Sequence, residues 1–446
     1  MSASVETQAA LSAPRIEISG RIVDVAPQSF RVAGLSPFMR LGDCIRCPGE
    51  SEDELGEVVR IDADSLTVKP YGSRFSKGVG SRALKVGPFA IAPDASWRGR
   101  VLDGFGRPRD DLGPVGTGDV ERPVDAPPLT ALKRARISQA VPTGVSVVDI
   151  FTPLLKGQRL GVFAGSGVGK STLMGMLAQA KGFDTVVVSL VGERGREVRE
   201  FLEEVMAGDL EKVVTIVATG DESPMMRRLA PRTATAVAEH FRDAGDDVLL
   251  IVDSVTRYAH AARDVALAAG EPPVSRGYPP SVFSELPQLL ERAGTGLEGS
   301  GTITGIYAVL IDGDDHNDPI ADAIRGTLDG HIVLDREIAE QGRFPAVDYL
   351  KSISRLADKA WHGSERELVT RLRAMTSRFE DTRDLRLLGG YQRGSDTTLD
   401  QAVDLVPHIY EFLTQRPGQA VHEKPFDALS AALKQALSAK SQPPAK

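Results

Sequence analysis

The pattern of hydrophobic and polar positions changes twice along the chain and divides it into three parts. Residues 15–90 contain short segments in which apolar and polar side chains alternate between glycines and prolines, as in the strands of a small β-barrel. From about 140 to 345, short apolar runs alternate with helical patterns, which predicts a parallel sheet covered by helices. After about 360 the pattern is helical and polar. The predicted fold class is therefore α/β, with an N-terminal β-barrel and a C-terminal helical domain.

The pattern also gives approximate bounds for the individual segments. The predicted barrel strands are 16–18, 20–25, 30–32, 57–61 and 65–68. The predicted core strands are 159–164, 185–190, 213–218, 248–252 and 303–311. The predicted helices are 195–207, 231–244, 254–269, 365–379 and 399–415. The predicted domains are a flexible N-terminus (1–14), a β-barrel domain (15–90), a linker into the core (91–130), the core domain (131–360), and a C-terminal helical domain with a disordered tail (361–446).

The first core strand runs into a glycine-rich loop and then into a helical pattern, which is the context of a phosphate-binding loop. The glycines allow successive backbone N–H groups to face one point, and the helix adds its positive end. Lys170 is predicted to reach the β and γ phosphates, and the Ser171 hydroxyl to ligate Mg²⁺. Ala164 replaces the usual first glycine, which is tolerable if it ends the strand with negative φ. The predicted nucleotide-binding residues of this loop are Gly165, Ser166, Gly167, Val168, Gly169, Lys170, Ser171 and Thr172.

Two acidic residues follow other core strands. The apolar run 247–253 ends in Asp253, and in P-loop enzymes a carboxylate at this place orients Mg²⁺ beside the phosphate loop. Glu193 follows the strand 185–190 and is placed to orient and polarise an attacking water. From the residues alone, an ordinary solvated helix start explains Glu193 equally well, because glutamate is favoured there.

Composition narrows the class of protein. The chain is 41% hydrophobic and 26% charged, with a formal net charge of -8, which argues against a general nucleic-acid binder. It has neither an apolar run near the ~20 residues that span a bilayer nor a signal-peptide pattern, so a cytoplasmic location is expected. Cys44 and Cys47 form a C-x-x-C pair without histidines nearby, and two structural thiols are the favoured interpretation.

Four motifs together resemble the catalytic subunits of rotary ATPases. They are the phosphate-binding loop, Gly192-Glu193-Arg194, the stretch 253–258 and the stretch 344–348. The stretches 163–171 and 191–198 are most similar to the flagellar type III protein-export ATPases, and the similarity covers nearly all of residues 15–440. The resemblance implies a P-loop NTPase core of the RecA-like type.

The resemblance also assigns roles to single residues. It implies that Glu193 is the general base that activates the lytic water, and that Arg194 helps to hold the region of the γ phosphate. Phe344 matches an aromatic residue that stacks on adenine, whereas the sequence alone favours an ordinary core aromatic. Arg355 matches an arginine finger that reaches the nucleotide of the neighbouring subunit. Tyr391 is placed loosely near the adenine base of the nucleotide.

The function implied by the resemblance is Mg²⁺-dependent ATP hydrolysis by a homohexameric ring. The ring would lie in the cytoplasm, peripheral to the inner membrane at the flagellar base, where it releases chaperones and delivers export substrates. The expected partners are a regulatory dimer, a coiled-coil stalk protein, the export gate at the membrane and chaperone–substrate complexes. Nucleic acid is not expected.

Four alternatives stay open from the sequence. A virulence type III secretion ATPase differs from the flagellar enzyme only in short motifs. A proton-translocating ATP synthase subunit usually has an acidic helix-turn run for its shaft, and 360–440 lacks one. An RNA-translocating hexamer would bind RNA in a salt-dependent way. A non-hydrolysing nucleotide-binding scaffold would not need Lys170, Glu193 and Asp253 together.

Overall fold

The computed structural model describes residues 17–50, 52–206, 210–311 and 318–440. The predicted flexible segment 1–14 and the end of the predicted tail, 441–446, lie outside these residues. The α/β fold class with a barrel before the sheet and helices after it is confirmed. Within the described ranges, no helix is long and apolar enough to cross a membrane.

Six strands of the described chain close an antiparallel barrel in the order β1-β2-β5-β4-β3-β6. They are β1 (Ser19–Ala26), β2 (Ser29–Ala33), β3 (Asp43–Cys47), β4 (Glu54–Ile61), β5 (Ser65–Pro70) and β6 (Arg82–Pro88). Alternating residues such as Ile22, Val32 and Leu66 point inward and are fully buried. Both cysteines lie in β3 as free, buried thiols, and burial raises the pKa of each to about 12.

The core is a mostly parallel sheet in the order β19-β18-β12-β17-β15-β13-β14-β8, with β16 paired to β17. The strands after the barrel are β7 (Ala90–Ile91), β8 (Arg100–Leu102), β9 (Arg122–Pro123), β10 (Ala140–Val141), β11 (Leu154–Leu155), β12 (Arg159–Ala164), β13 (Thr185–Val191), β14 (Val213–Ala218), β15 (Asp247–Asp253), β16 (Gly294–Thr295), β17 (Thr302–Leu310), β18 (Gly330–Val333) and β19 (Ile353–Ser354). The helices of this part are α1 (Ser146–Phe151), α2 (Lys170–Ala178), α3 (Gly195–Met206), α4 (Pro224–Asp243), α5 (Val255–Ala268), α6 (Pro280–Glu291), α7 (Pro319–Thr327), α8 (Arg336–Glu340) and α9 (Ala357–Ala360). Single 3₁₀ turns are Ser36–Phe38, Ala95–Trp97, Ala131–Lys133 and Leu210–Lys212.

Helices cover both faces of the sheet, and its central strands are mostly apolar on both faces. In β15, Val248 and Leu250 face one apolar core, whereas Leu249 and Ile251 face the other. The predicted linker 91–130 also contributes to this sheet, because β8 pairs in parallel with β14 at its edge.

The largest error in a predicted helix boundary was at the start of one helix. The helix predicted at 231–244 is α4, which begins at Pro224 and continues through Pro231. Ser223 caps it by accepting a hydrogen bond from the backbone N–H of Met226 at 3.1 Å, and a proline is favourable in the first turn. Tertiary packing of its buried face outweighs the bond that Pro231 removes.

The C-terminal part is helical. Its helices are α10 (Gly363–Asp381), α11 (Arg383–Leu387), α12 (Thr397–Leu413) and α13 (Pro425–Lys440). Their buried residues, among them Leu372, Val406 and Leu429, join the same apolar core as α2 and one face of the sheet. The helical part is therefore packed directly on the core domain.

Candidate active site

The loop from β12 to α2 has the backbone that phosphate binding requires. Gly167 and Gly169 have φ of 79° and 90°, which other residues rarely adopt. Ala164 is the last residue of β12 and is not among the residues with positive φ, so its methyl group is accommodated. The loop glycines thus direct backbone N–H groups and the start of α2 toward one point.

Lys170, Glu193 and Asp253 lie together at the carboxyl ends of the strands. The Lys170 ammonium donates a hydrogen bond to Asp253 Oδ1, and its Nζ lies 3.6 Å from Glu193 Oε1. The register explains the contact, because Leu190 of β13 is paired with Asp253 of β15. All three side chains are largely buried. The structure therefore brings together the predicted phosphate-binding lysine, base and metal-orienting carboxylate.

The Glu193 carboxylate is held in place from several directions. Arg257, in the first turn of α5, donates a hydrogen bond from Nε to Glu193 Oε1 at 3.2 Å. Gly192 has φ of 69°, and a Cβ there would lie 2.7 Å from Arg257 Cδ, so this turn needs glycine. Burial raises the pKa of Glu193, against the opposing charge of Lys170. The sequence did not single out Arg257, although it follows Asp253 by only four positions.

Phe344 borders the phosphate-binding loop. A Cβ built on Gly169 would lie 3.4 Å from Phe344 Cδ1, and the Phe344 side chain is 41% exposed. Its carbonyl accepts a hydrogen bond of 2.7 Å from the backbone N–H of Gln415, just beyond α12. A half-exposed ring beside the loop is not the ordinary core aromatic that the sequence alone favoured.

Arg355 lies near the amino-terminal ends of the parallel strands, whereas the phosphate-binding loop lies at their carboxyl-terminal ends. Its backbone N–H donates to the Asp329 carbonyl, and the Asp329 N–H donates to the carbonyl of Arg159, the first residue of β12. The loop follows Ala164, the last residue of that strand, which is about 16 Å further along at ~3.3 Å per residue. The exposed Arg355 side chain therefore cannot reach the phosphate-binding loop of its own chain.

Two other candidate residues make no contact with Lys170, Glu193 or Asp253 among the described contacts. The Arg194 side chain is 85% exposed and pairs with Glu197 at 3.6 Å. The Tyr391 hydroxyl donates to Asp400 Oδ1 at 2.5 Å, at the start of α12. Among the described contacts none connects Tyr391 to Phe344, and the roles of Arg194 and Tyr391 stay predictions.

Comparison with known proteins gives consistent matches over nearly the whole chain. The ATP synthase alpha/beta family, nucleotide-binding domain, matches residues 144–354, and the T3SS EscN ATPase C-terminal domain matches residues 362–435. A flagellum-specific ATP synthase of Rhizobium meliloti (strain 1021) is 54% identical over 94% of this chain and 89% of that protein. This chain belongs to the ATPase family of flagellar and type III secretion systems.

Further members of the family are more distant. A type 3 secretion system ATPase of Xanthomonas euvesicatoria is 41% identical over 92% of this chain and 93% of that protein. The assembled ATPase EscN in complex with its central stalk EscO, from the enteropathogenic E. coli type III secretion system, has a TM-score of 0.85 at 39% identity. That similarity covers 93% of this chain and 100% of that one. As a member of this ATPase family, the chain binds and hydrolyses ATP.

The ATPase site has the residues that a magnesium nucleotide would use. Ser171 lies exposed in the first turn of α2, and the nearly buried Asp253 carboxylate ends β15. In the described residues no group of three His, Cys, Asp or Glu side chains forms a metal site. This donor set fits Mg²⁺, which takes one or two protein ligands and completes its shell with phosphate oxygens and water.

Proposed function

We propose that this ATPase works with Mg²⁺ as a homohexameric ring whose active sites are shared between neighbours, and that it energises flagellar type III protein export. The observation that carries the shared-site proposal is the position of Arg355, exposed and at the opposite edge of the sheet from its own loop. An arginine finger in that position serves only the nucleotide of another subunit.

Within one subunit, the residues divide the work. The loop N–H groups and Lys170 hold the phosphates, and Phe344 stacks on the adenine ring. Glu193, oriented by Arg257, accepts a hydrogen bond from the attacking water and polarises it. Ser171 and Asp253 would hold Mg²⁺, which would supply positive charge to neutralise the phosphates.

The neighbouring subunit contributes Arg355. Its guanidinium stabilises charge on the transferred phosphoryl group, an effect typically worth about 10³–10⁵ in rate. Each chain carries the phosphate-binding loop, the general base Glu193 and the arginine finger Arg355. Every interface of a homohexamer can therefore be active. A lone subunit is then a poor ATPase.

The flagellar role rests on similarity. The Rhizobium meliloti relative is flagellum-specific and more similar to this chain than the type 3 secretion system ATPase of Xanthomonas euvesicatoria. The structure of assembled EscN in complex with its central stalk EscO supports an assembly of subunits with a stalk protein as partner, which we propose to be a ring around a coiled-coil stalk. The other proposed partners are a regulatory dimer, the export gate and chaperone–substrate complexes, at the cytoplasmic side of the inner membrane at the flagellar base.

The test is a chromosomal Glu193→Gln substitution in the source bacterium, with Glu200→Gln as its control. Glu200 lies on α3 and is 57% exposed. We expect Glu193→Gln to remove flagellar filaments and exported flagellar proteins from the medium, while the control exports normally. Normal flagella together with loss of a virulence export system would replace the flagellar proposal with the virulence one.

A further inference from the structure

The backbone that carries Arg355 is fixed by hydrogen bonds from several elements. Ser352 Oγ donates to the Asp348 carbonyl at 2.6 Å, and it accepts from the backbone N–H of Val333 at 3.0 Å. Ser354 Oγ donates to the Pro153 carbonyl at 2.9 Å. In the described chain, by contrast, the Arg355 guanidinium has no ion pair or hydrogen bond. The backbone is therefore held rigidly while the side chain remains available.

One of these restraints comes from the C-terminal helical part. Arg373, in the middle of α10, donates from one nitrogen, Nη2, to the carbonyls of Ser352 at 3.1 Å and Phe151 at 3.0 Å. Its guanidinium carbon lies 5.9 Å from the centroid of the Phe151 ring. Two carbonyls are thus tied to a single guanidinium, and one of them lies three residues before Arg355.

Helix α10 is itself tied to the same region by a second contact. One turn after Arg373, the Thr376 hydroxyl is hydrogen-bonded to the Tyr349 hydroxyl at 2.9 Å. The Tyr349 ring stacks on the Phe151 ring at 4.1 Å. Arg355 and Arg373 also line a common cavity of about 290 Å³. Any shift of α10 relative to the sheet therefore changes the support of the residues before Arg355.

We propose that Arg373 is a positioning residue for the Arg355 finger, and that through it the C-terminal helical part controls hydrolysis at the neighbouring subunit. This inference rests on the proposed shared active site. Arg373 does not touch the nucleotide of its own chain, since it lies with Arg355 at the far edge of the sheet from the loop. Its loss misplaces the finger and leaves the subunit's own loop, base and adenine contact intact.

The first measurement is the steady-state kinetics of an Arg373→Ala ring. Misplacing a catalytic group by about 1 Å can cost on the order of 10²-fold in rate. We expect kcat to fall by about that factor with KM for ATP nearly unchanged. The matched control is Arg371→Ala, on the same helix and exposed, which should keep wild-type turnover.

Mixing variants separates a positioning role from a local structural one. Arg373→Ala mixed with Glu193→Ala should regain activity, because some interfaces combine an intact base with an intact, well-placed finger. Arg373→Ala mixed with Arg355→Ala should regain none, because both damage the finger. If that second mixture regains activity, Arg373 supports the site of its own chain and the proposal is overturned.

The reference mixture is Glu193→Ala with Arg355→Ala, which tests the shared site without Arg373. Failure of that reference contradicts the proposed function itself, so the two failures are distinguishable. If Arg373→Ala does not fold, Arg373→Lys keeps the aliphatic stem beside Phe151 and shortens the reach to Ser352. Full activity of a folded Arg373→Lys ring, with unchanged mixing behaviour, would also overturn the proposal.

Discussion

The carboxylate of Glu193 lies between two cations and a second carboxylate. Arg257 and Lys170 favour its ionised form, whereas burial and Asp253 oppose it. Burial is the largest of these effects, and the pKa of Glu193 is raised above its ordinary value of 4.5. A general base must be ionised to act, so this shift has a direct consequence for the pH profile.

The first prediction concerns pH. Wild-type kcat/KM, which reports the pKa values of the free enzyme, should fall as the pH drops through the raised pKa of Glu193, at a higher pH than an exposed glutamate would give. Glu193→Gln cannot titrate, so its residual rate should lack this acidic limb. The measurement is kcat/KM against pH for both proteins, with Glu200→Gln as control. An acidic limb that persists in Glu193→Gln would assign it to another group.

The second prediction concerns Phe344. Removal of its ring by Phe344→Ala should raise KM for ATP about tenfold with little change in kcat, because base stacking on an aromatic ring is worth about 1–3 kcal/mol. The control is Phe38→Ala, whose ring is 50% exposed on the barrel. The measurement is the steady-state kinetics of both variants. An unchanged KM for ATP in Phe344→Ala would contradict the proposed stacking of Phe344 on adenine.

At this scale, what the sequence predicts depends on whether a residue is part of a local motif. The loop residues and Asp253 follow apolar strands directly, so strand–loop–helix logic identifies them. Arg257 and Arg373 act through contacts made by tertiary packing, and Arg373 meets Ser352 and Phe151 only in the folded chain. Arg257 lies within the motif 253–258, but its contact with Glu193 is visible only in the folded chain, and no local pattern marks Arg373.

At the scale of elements, a buried ion network joins the barrel to the core. Arg228 of α4 donates to Glu57 of β4 at 2.7 Å and to Glu285 of α6 at 2.8 Å, and its side chain is 11% exposed. Although burial acts to raise it, the charges of Arg228 and Arg232 hold the pKa of Glu285 at about 2. Arg228 and Arg232 line a cavity of about 680 Å³ and are paired there with Glu57, Asp125 and Glu285, so the network forms a contact between the barrel and the core.

The third prediction concerns this contact. Arg228→Ala leaves Glu57 buried without its cationic partner, whereas Glu285 keeps its pair with Arg232. Breaking a buried pair costs about 3–5 kcal/mol of unfolding free energy. Arg199→Ala is the control, because its pair with Glu203 is exposed and such pairs contribute about 0–1 kcal/mol. Urea denaturation measures both. Equal stability of the two variants would show that the network does not hold the barrel to the core.

Elements differ in how well the pattern predicts them. The core strands β12 and β14 were predicted to the residue, because strands buried on both faces are long apolar runs between turns. Strand β3 was missing from the predicted set, since one face packs in the barrel and the other on the core domain, which removes the alternation. Strand β6 was missed as well, and its pairing with β3 is interrupted by a bulge.

On the scale of the whole molecule, the proposed shared active site depends on the relative positions of the phosphate-binding loop and Arg355. The loop with Lys170 lies at the carboxyl ends of the parallel strands and Arg355 at their amino ends, so the proposed site with its arginine finger requires two chains. The local motif predicts Lys170 and the resemblance predicts Arg355, but their separation follows only from the register of β12, β18 and β19. A ring is the closed arrangement in which every loop meets a neighbour's finger.

The measurement that tests this relation most directly is ATP turnover per chain against protein concentration, for the wild type and an equal mixture of Glu193→Ala and Arg355→Ala. We expect wild-type turnover per chain to rise steeply with concentration. Each variant alone should lose at least about 10³-fold in turnover. The mixture should regain part of the activity. Turnover independent of concentration, with Arg355→Ala fully active, would contradict the shared site.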